Sequence, residues 1–349
     1  MKKLSILLLI ITLAFNITYA KNEINAKKIN ERSASFIVNT DSKRSVLVLQ
    51  PASDSPLEFK EIKQTSLMQE TVDLSQIKPI SKQYYVVFDG VQNVIPITVK
   101  GLQPKTDYVL TLYKPEGEKV NTNQYKFTTL AEEPKKSASG IAFRQPTETS
   151  IELVWTNGDG EKRIVVASKG KTVAKIPADG ESYSANSKFG SAESKLAENA
   201  YVVYSGVRNE CKVENLEPAT IYSFQVIELN GEGKSTNYLV STSATNPRWK
   251  MTAIPAPVLL PAKNVHEIGC VLSWKGSPNV QKYILDIAYD EKFTRFAELY
   301  ENADVGDITE IEVLDLDPTQ DWFVRVKAIG EGSQSEYSKT LKVEKKERK

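Results

Sequence analysis

The sequence predicts an all-β protein that consists of three tandem β-sandwiches behind an N-terminal targeting segment. One pattern occurs three times, at Ile97–Tyr113, Cys211–Ile227 and Ile311–Lys327. Its frame is an apolar residue, a Val two positions later, a Leu-x-Pro group and then an aromatic residue that begins an apolar alternation. A repeat with a period of roughly one hundred residues predicts tandem domains. Short alternating stretches separated by turn residues predict strands with one buried face.

The repeats divide the 349 residues into domains, two of which carry long insertions. The predicted segments are a signal peptide at 1–20, a first domain at 21–130, a second at 137–245, a Pro-containing linker at 246–256, a third domain at 257–344 and a charged tail at 345–349. The insertions are 51–83 in the first domain and 169–200 in the second. Loops of this length in a compact domain are usually functional or disordered, and the aromatic residues of the second insertion favour partial order.

Each predicted domain begins with two strands that the apolar residues define. The first strands contain Phe36 and Val38; Ile151, Leu153 and Trp155; and Cys270, Leu272 and Trp274. The second strands are 46–49, 164–167 and 283–287, and the candidates for the last strands are 125–127, 238–240 and 337–343. Evenly spaced short strands of this kind predict sandwiches.

The Leu-x-Pro group predicts a sharp corner between two strands. Proline cannot donate a hydrogen bond within a sheet, so the strand ends there. Tyr108 and Tyr222 then begin the next strand, and their hydroxyl groups are expected to hydrogen-bond back to the turn. Trp322 replaces the tyrosine in the third copy. Because an indole N–H can only donate, the bond must have a different geometry there.

These residues resemble the fibronectin type III family, whose fold is an immunoglobulin-like sandwich. The resemblance rests on an early strand Trp followed by Leu-x-Pro-x-Thr-x-Tyr, as in Trp155 with Leu216, Pro218, Thr220 and Tyr222. The first copy lacks the Trp, and the third has Gln320 and Trp322 at the last two motif positions. The resemblance implies a general-purpose module and does not define a function.

The N-terminus and the composition predict an exported protein. Two lysines precede a nearly unbroken apolar run from Leu4 to Phe15, and Thr18-Tyr19-Ala20 offers a cleavage site, as in a secretory signal. A transmembrane anchor is the alternative, although the run is short for a membrane span. Lys+Arg total 45 and Asp+Glu total 44, so no basic surplus favours nucleic-acid binding. We therefore expect a periplasmic, surface or extracellular protein without a membrane span in its mature form.

Residues that could carry chemistry are few. Cys211 and Cys270 occupy core positions of different domains by alignment, and we interpret them as buried free thiols, with a disulfide as the alternative. His266 has no convergent partner set. The acidic loop Asn157–Glu161 could hold Ca²⁺, but a connecting turn is favoured. The sequence therefore predicts no enzyme, no cofactor and no metal site.

Three aromatic residues are the candidate binding residues, namely Trp249, Tyr183 and Phe189. Trp249 either packs at the joint between domains or forms an exposed platform for a sugar ring or a protein. Tyr183 and Phe189 either pack within their loop or serve the same purpose. The leading hypothesis is an exported envelope or surface protein of a bacterium that acts as a spacer, adhesion or protein-binding module. The alternatives are a carbohydrate-binding accessory protein in polysaccharide uptake and a hydrolase. The expected partner is another envelope or surface protein, or a glycan.

Overall fold

The computed structural model describes residues 23–41, 43–63, 65–144 and 146–344, and the regular secondary structure of this part of the chain is almost entirely β-strand. The strands form three successive pairs of sheets, which confirms the predicted all-β sandwich fold. The predicted signal peptide at 1–20 and the charged tail at 345–349 lie outside the described residues. No helix within the described ranges is both long and apolar enough to cross a membrane.

The first sandwich comprises eight strands within the described residues. They are β1 (Ile24–Ile29), β2 (Ser33–Asn39), β3 (Arg44–Pro51), β4 (Thr71–Asp73), β5 (Tyr85–Val91), β6 (Val94–Lys100), β7 (Asp107–Glu116) and β8 (Lys119–Thr128). One sheet has the order β1-β2-β6-β4 and the other β5-β3-β7-β8. Strand β4 comes from the insertion and joins β6 in parallel. A 3₁₀ turn, Phe59–Glu61, also lies in the insertion.

The second sandwich has the same two-sheet plan. Its strands are β9 (Ser139–Phe143), β10 (Ile151–Thr156), β11 (Lys162–Lys169), β12 (Lys195–Ala197), β13 (Ala200–Gly206), β14 (Glu210–Val213), β15 (Ile221–Asn230), β16 (Asn237–Leu239) and β17 (Arg248–Met251), with 3₁₀ turns at Ala192–Ser194 and Gly233–Ser235. The sheets are β14-β10-β9 and β12-β13-β11-β15-β16, and β17 also pairs with β15.

The third sandwich is more compact, because its described residues contain no long insertion like those of the first two sandwiches. Its strands are β18 (Val258–Leu259), β19 (Lys263–His266), β20 (Gly269–Lys275), β21 (Val280–Ala288), β22 (Ala303–Asp304), β23 (Glu310–Val313), β24 (Phe323–Gly330), β25 (Ser333–Gln334) and β26 (Leu341–Lys342). In one sheet β18, β19 and β23 all pair with β20, and the other has the order β22-β21-β24-β25 with β26 beside β24.

The insertions of the first two sandwiches cover the outer face of one sheet. Strands β3 and β11 are therefore buried on both faces. In the first sandwich, Val46 and Val48 pack against insertion residues around Ile62. In the second, Ile164 and Val166 pack with Tyr183 and neighbours. Both-face burial explains why these strands contain continuous apolar runs instead of a simple alternation.

Each of the three corners has a hydrogen bond from its aromatic side chain to the turn, as predicted, and the bond of Trp322 differs in geometry from those of the two tyrosines, also as predicted. The hydroxyl oxygen of Tyr108 accepts a bond from the Gln103 N–H at 3.0 Å, and that of Tyr222 accepts from the Glu217 N–H at 3.0 Å. The Trp322 Nε1–H instead donates to the Asp317 carbonyl at 2.8 Å. Each aromatic ring thus fixes the same turn, but the tryptophan uses the carbonyl where the tyrosines use the amide.

Replacement of the corner tyrosine leaves the Asp317 N–H in need of another acceptor. The hydroxyl of Tyr289 supplies it, at 3.2 Å from the Asp317 nitrogen. A buried amide without an acceptor would destabilise the fold. The third sandwich therefore uses two aromatic side chains for the two bonds of its corner.

The last strand of the second sandwich differs from its prediction. It is split into β16 and β17, which both pair with β15. The candidate 238–240 overlaps only the first part, while the second part lies in the segment predicted as a linker over 246–256. The sequence did not reveal this strand, because Arg248–Met251 places its cations at the positions where the sister strand of the first sandwich has Tyr125 and Phe127.

The described chain divides into two compact units, with the division between Thr129 and Leu130. The second unit contains both the second and the third sandwich. At their junction Ala219, Met251 and Ile254 are buried within the hydrophobic core of the third sandwich. The Asn279 side chain donates a hydrogen bond of 2.8 Å to the Ala219 carbonyl. Packing and hydrogen bonding at the junction therefore join these two sandwiches.

Candidate binding surface

Trp249 lies on β17, opposite Ser223 of β15, at the edge of the second sandwich. Its side chain is 37% exposed, which is unusual for a tryptophan. The Lys171 Nζ lies 5.3 Å from the centre of the indole ring and forms an ion pair of 2.7 Å with Glu331 of the third sandwich. The structure thus places Trp249 near the junction and leaves more than a third of its surface open to solvent.

A groove of about 760 Å³ lies beside Trp249, between strands β9 and β17. We call it the β9–β17 groove. Ile141, Phe143 and Arg144 line one side, and Arg248 and Lys250 line the other with Trp249. Both bounding strands are at sheet edges, since β9 pairs only with β10 and β17 only with β15 among the described strands.

The register of the last strands explains why this groove is open. In the first sandwich Phe127 pairs with the corner tyrosine Tyr108, whereas in the second Lys250 pairs with Tyr222. Phe127 is buried and stacks on Tyr108 with ring centres 5.6 Å apart. Lys250 is only half-buried and fills no such place in a core.

The neighbouring positions also show that apolar and cationic residues have exchanged faces in β17. Lys126, in the first sandwich, occupies the register of Trp249, and Lys342, in the third, does so as well. Both sister strands therefore place an apolar residue toward the core and a lysine away from it. Strand β17 does the opposite, because successive side chains of a strand point to opposite faces.

The groove is positively charged. Three of its described lining residues are cationic, namely Arg144, Arg248 and Lys250, and none is acidic. Arg144 forms ion pairs with Glu152 at 3.2 Å and Glu210 at 3.0 Å outside this lining. The Lys250 Nζ donates to a backbone carbonyl of the third sandwich, that of Gly332, at 3.3 Å. The surface can therefore offer charge-assisted hydrogen bonds to an anionic ligand.

Tyr183 and Phe189 lie elsewhere, within the insertion of the second sandwich. The Tyr183 ring lies 6.2 Å from that of Tyr238, and its hydroxyl donates to Glu181 at 2.7 Å. Phe189 makes edge contacts with Tyr201 and Tyr222, with ring centres 4.7 Å and 5.0 Å apart. Both rings are half-buried in the packing of their own sandwich, and neither lines the β9–β17 groove.

The loop that resembled a calcium site is held by protein groups. The Glu228 carboxylate accepts hydrogen bonds from the Gly158 N–H at 2.8 Å and the Gly160 N–H at 3.2 Å, and it pairs with buried Arg163. A Cβ on Gly158 would lie 1.9 Å from the Lys136 carbonyl oxygen, so glycine is required there. The geometry is that of a structural turn whose acceptor comes from the neighbouring strand.

Both cysteines are free thiols, as the register of the repeats predicts. Cys270 is buried, whereas Cys211 is half-buried and lines a cleft of about 370 Å³. Burial raises the pKa of Cys211 to about 12 and that of Cys270 to about 11. Both thiols are therefore protonated at neutral pH and are poor nucleophiles.

Comparison with known proteins identifies the middle part of the chain. Residues 136–243 match the family model of the fibronectin type III domain. This segment is a fibronectin type III domain. Its corner tyrosine, Tyr222, and its early-strand tryptophan, Trp155, are the residues on which the resemblance rested. Fibronectin type III domains generally serve as non-enzymatic spacers or binding modules.

Two solved structures with fibronectin type III domains are similar to the chain. One is a two-domain fibronectin type III segment of chicken tenascin, at 15% identity and a TM-score of 0.36, covering 59% of this chain and 99% of that one. The other comprises the FN1–FN3 domains of chicken CNTN1, at 11% identity and a TM-score of 0.27, covering 93% and 99%.

Proposed function

We propose that this protein is an exported, non-enzymatic component of a bacterial cell envelope or surface that acts as a spacer and protein-binding module. The observation that carries the proposal is the β9–β17 groove with its exposed Trp249. Exposed tryptophan and arginine side chains are enriched at the energetic centres of protein interfaces. The groove adjoins the packed junction of the second and third sandwiches, which would hold it in a fixed orientation.

The spacer part of the proposal rests on that junction. Ala219 and Ile254 are buried there at 0% and 3% exposure. Interfaces between domains that are large and apolar restrict their relative motion. A joint of this kind favours a stiff support for a binding surface. The export part rests on the N-terminal pattern of lysines, apolar run and small residues.

A photo-crosslinking amino acid at position 249 tests the proposal in the native cell. We expect a covalent adduct with a specific envelope protein, and fractionation should recover the protein outside the cytoplasm. The same amino acid at position 126, which has the same strand register in the first sandwich, is the matched control. Equal adducts at both positions, or recovery in the cytoplasm, would contradict the proposal.

A second candidate function is carbohydrate binding, which the exposed Trp249 ring favours. Aromatic faces stack on sugar rings, and a nearby cation can bond to their hydroxyl groups. A glycan array tests this function. Binding that disappears in Trp249→Ala and persists in Tyr183→Ala would support it, whereas no binding by the unaltered protein would exclude it for the glycans displayed.

A further inference from the structure

The shape of the β9–β17 groove suits a strand. Two sheet edges bound it, β9 of 5 residues and β17 of 4 residues. An edge strand has main-chain N–H and C=O groups on one side that can pair with an added strand. On β9, the Ile141 N–H already donates to the Thr245 carbonyl at 3.2 Å, so β17 is the edge at which a strand would add. Peptides that pair with such edges gain affinity from main-chain hydrogen bonds and specificity from side-chain pockets.

The side chains of the groove select among peptides by charge. Arg248 and Lys250 lie on the same side of β17, two residues apart, where sister strands place Tyr125 and Phe127. Residues at that spacing in an opposing strand would meet them as cross-strand pairs. Carboxylates are the complementary groups, because opposite charges across a strand pair stabilise it and like charges destabilise it.

The same strand offers an apolar contact. Phe143 is half-buried beside Phe224, with ring centres 5.7 Å apart, and faces the groove together with Ile141. In the first sandwich the corresponding region is filled from within, where Phe36 contacts Phe127 at 5.1 Å. The second sandwich supplies no equivalent ring from β17. An apolar side chain of a ligand would bury surface that the sister domain buries internally.

From these observations we propose that the β9–β17 groove binds an extended acidic segment of a partner protein by strand addition. Carboxylates of the segment bond to Arg248 and Lys250, and an interspersed apolar side chain packs against Phe143. The inference rests on the proposed protein-binding function and specifies its partner. It favours a peptide over an anionic polysaccharide because the cations lie on an edge strand, β17.

A binding measurement with synthetic peptides tests the inference. The probe is a fluorescein-labelled peptide of alternating Glu and Val, about eight residues long, which is a normal strand length. Fluorescence anisotropy with the purified mature protein measures its dissociation constant at physiological ionic strength. We expect R248E/K250E to weaken binding at least about tenfold. Lys126→Glu, at the register of Trp249 in the first sandwich, should change it less than about twofold.

A second peptide separates strand addition from simple charge attraction. It has the same sequence with alternate backbone amides N-methylated, so its charge is retained while main-chain donors are lost. We expect this peptide to bind at least about tenfold more weakly. Equal binding of both peptides would overturn strand addition. Binding unaffected by R248E/K250E would overturn the groove as the site.

Two further measurements address unfolding of the double variant and binding of an anionic glycan in place of a peptide. Should R248E/K250E unfold, as its circular dichroism would show, R248Q/K250Q replaces it with the same expectation. Polygalacturonate serves as a competitor. If it binds more tightly than the peptide, and R248E/K250E weakens that binding, the ligand is an anionic glycan and the peptide proposal is refuted. A specific protein adduct at position 249 without peptide binding would refute this inference alone. Peptide binding without any cellular adduct would instead refute the proposed function.

Discussion

Single hydrogen bonds at the three corners carry measurable stability. The Tyr222 ring is fully buried and its hydroxyl accepts the Glu217 N–H. We expect Tyr222→Phe to lower the free energy of unfolding by about 1–2 kcal/mol, because the amide loses its acceptor inside the fold. Chemical denaturation measures the change. Tyr201→Phe is the control, since no hydrogen bond of its hydroxyl is found among the described residues. Equal losses in both variants would contradict this account.

One buried carboxylate makes the first sandwich sensitive to acid. Burial by itself raises the pKa of Asp89, but the Arg44 side chain and the Thr65 N–H outweigh it, and the net shift is downward. The folded state therefore binds this proton less readily than the unfolded chain. The ionised form stabilises the fold above about pH 4, the unfolded pKa of an aspartate, and this stabilisation is lost as pH falls through the lower folded pKa.

Replacement of that carboxylate tests the pH dependence. We expect Asp89→Asn to be less stable than the unaltered protein at neutral pH, with a smaller further loss between about pH 4 and lower pH. Urea denaturation of the first unit at several pH values measures both effects. Asp41→Asn is the control, because Asp41 is exposed. A parallel pH profile in Asp89→Asn and the unaltered protein would rule out the carboxylate as the cause.

At the scale of elements, the inverted strand β17 lowers the stability of its own sandwich. We expect Lys250→Phe to raise the free energy of unfolding by about 1–2 kcal/mol, because the ring would bury apolar surface as Phe127 does in the first sandwich. Thermal unfolding of the full chain measures the change. Lys250→Gln separates loss of charge from gain of burial, and a comparable stabilisation in that variant would show that burial is not the cause.

The sequence predicts elements well where a residue's neighbours in the chain determine its role. The corner residues Tyr108, Tyr222 and Trp322 follow the repeat frame, and the structure gives them the expected bonds. The residue before the motif leucine adopts a left-handed conformation in all three copies, as Gly101, Asn215 and Asp315. These residue types tolerate positive φ, so the repeat contained this signal as well.

Prediction fails where distant segments determine the role. Burial of Val46 and Val166 on outer sheet faces depends on insertions whose packing no periodicity reveals. The sequence did not predict strand β17, because its apolar residue Trp249 lies on the outer face of the sheet. The pattern of apolar residues therefore did not indicate a strand that faces the core. A comparison of Trp249 with Lys126 and Lys342 by register would have exposed the inversion, but register requires the sheet pairing to be known.

At the scale of the molecule, the junction couples the second and third sandwiches. Ile254 packs into the core of the third sandwich while its neighbours Thr252 and Ala253 bond to the corner of the second. We expect the unaltered protein to show one calorimetric transition for residues 130–349, in addition to that of the first unit. Ile254→Asp should divide it in two and cost about 3 kcal/mol, because the carboxylate cannot be buried there.

The control for this experiment lies within the same protein. The transition of the first unit should not move in Ile254→Asp, since residues 23–129 form a separate compact unit. Separate transitions for the second and third sandwiches in the unaltered protein would show that the junction does not couple them.

The inward cations of strand β17 also bear on self-association. An exposed sheet edge invites pairing with the same edge of another molecule, which leads to swapped dimers and fibres. Two copies meeting at this edge would bring Arg248 and Lys250 of each against those of the other, and like charges across a strand pair repel. The cations of β17 thus disfavour pairing with the same edge of a second copy, while the edge remains available to an anionic ligand. At high protein concentration, where identical molecules meet often, this repulsion would limit pairing between copies of the chain.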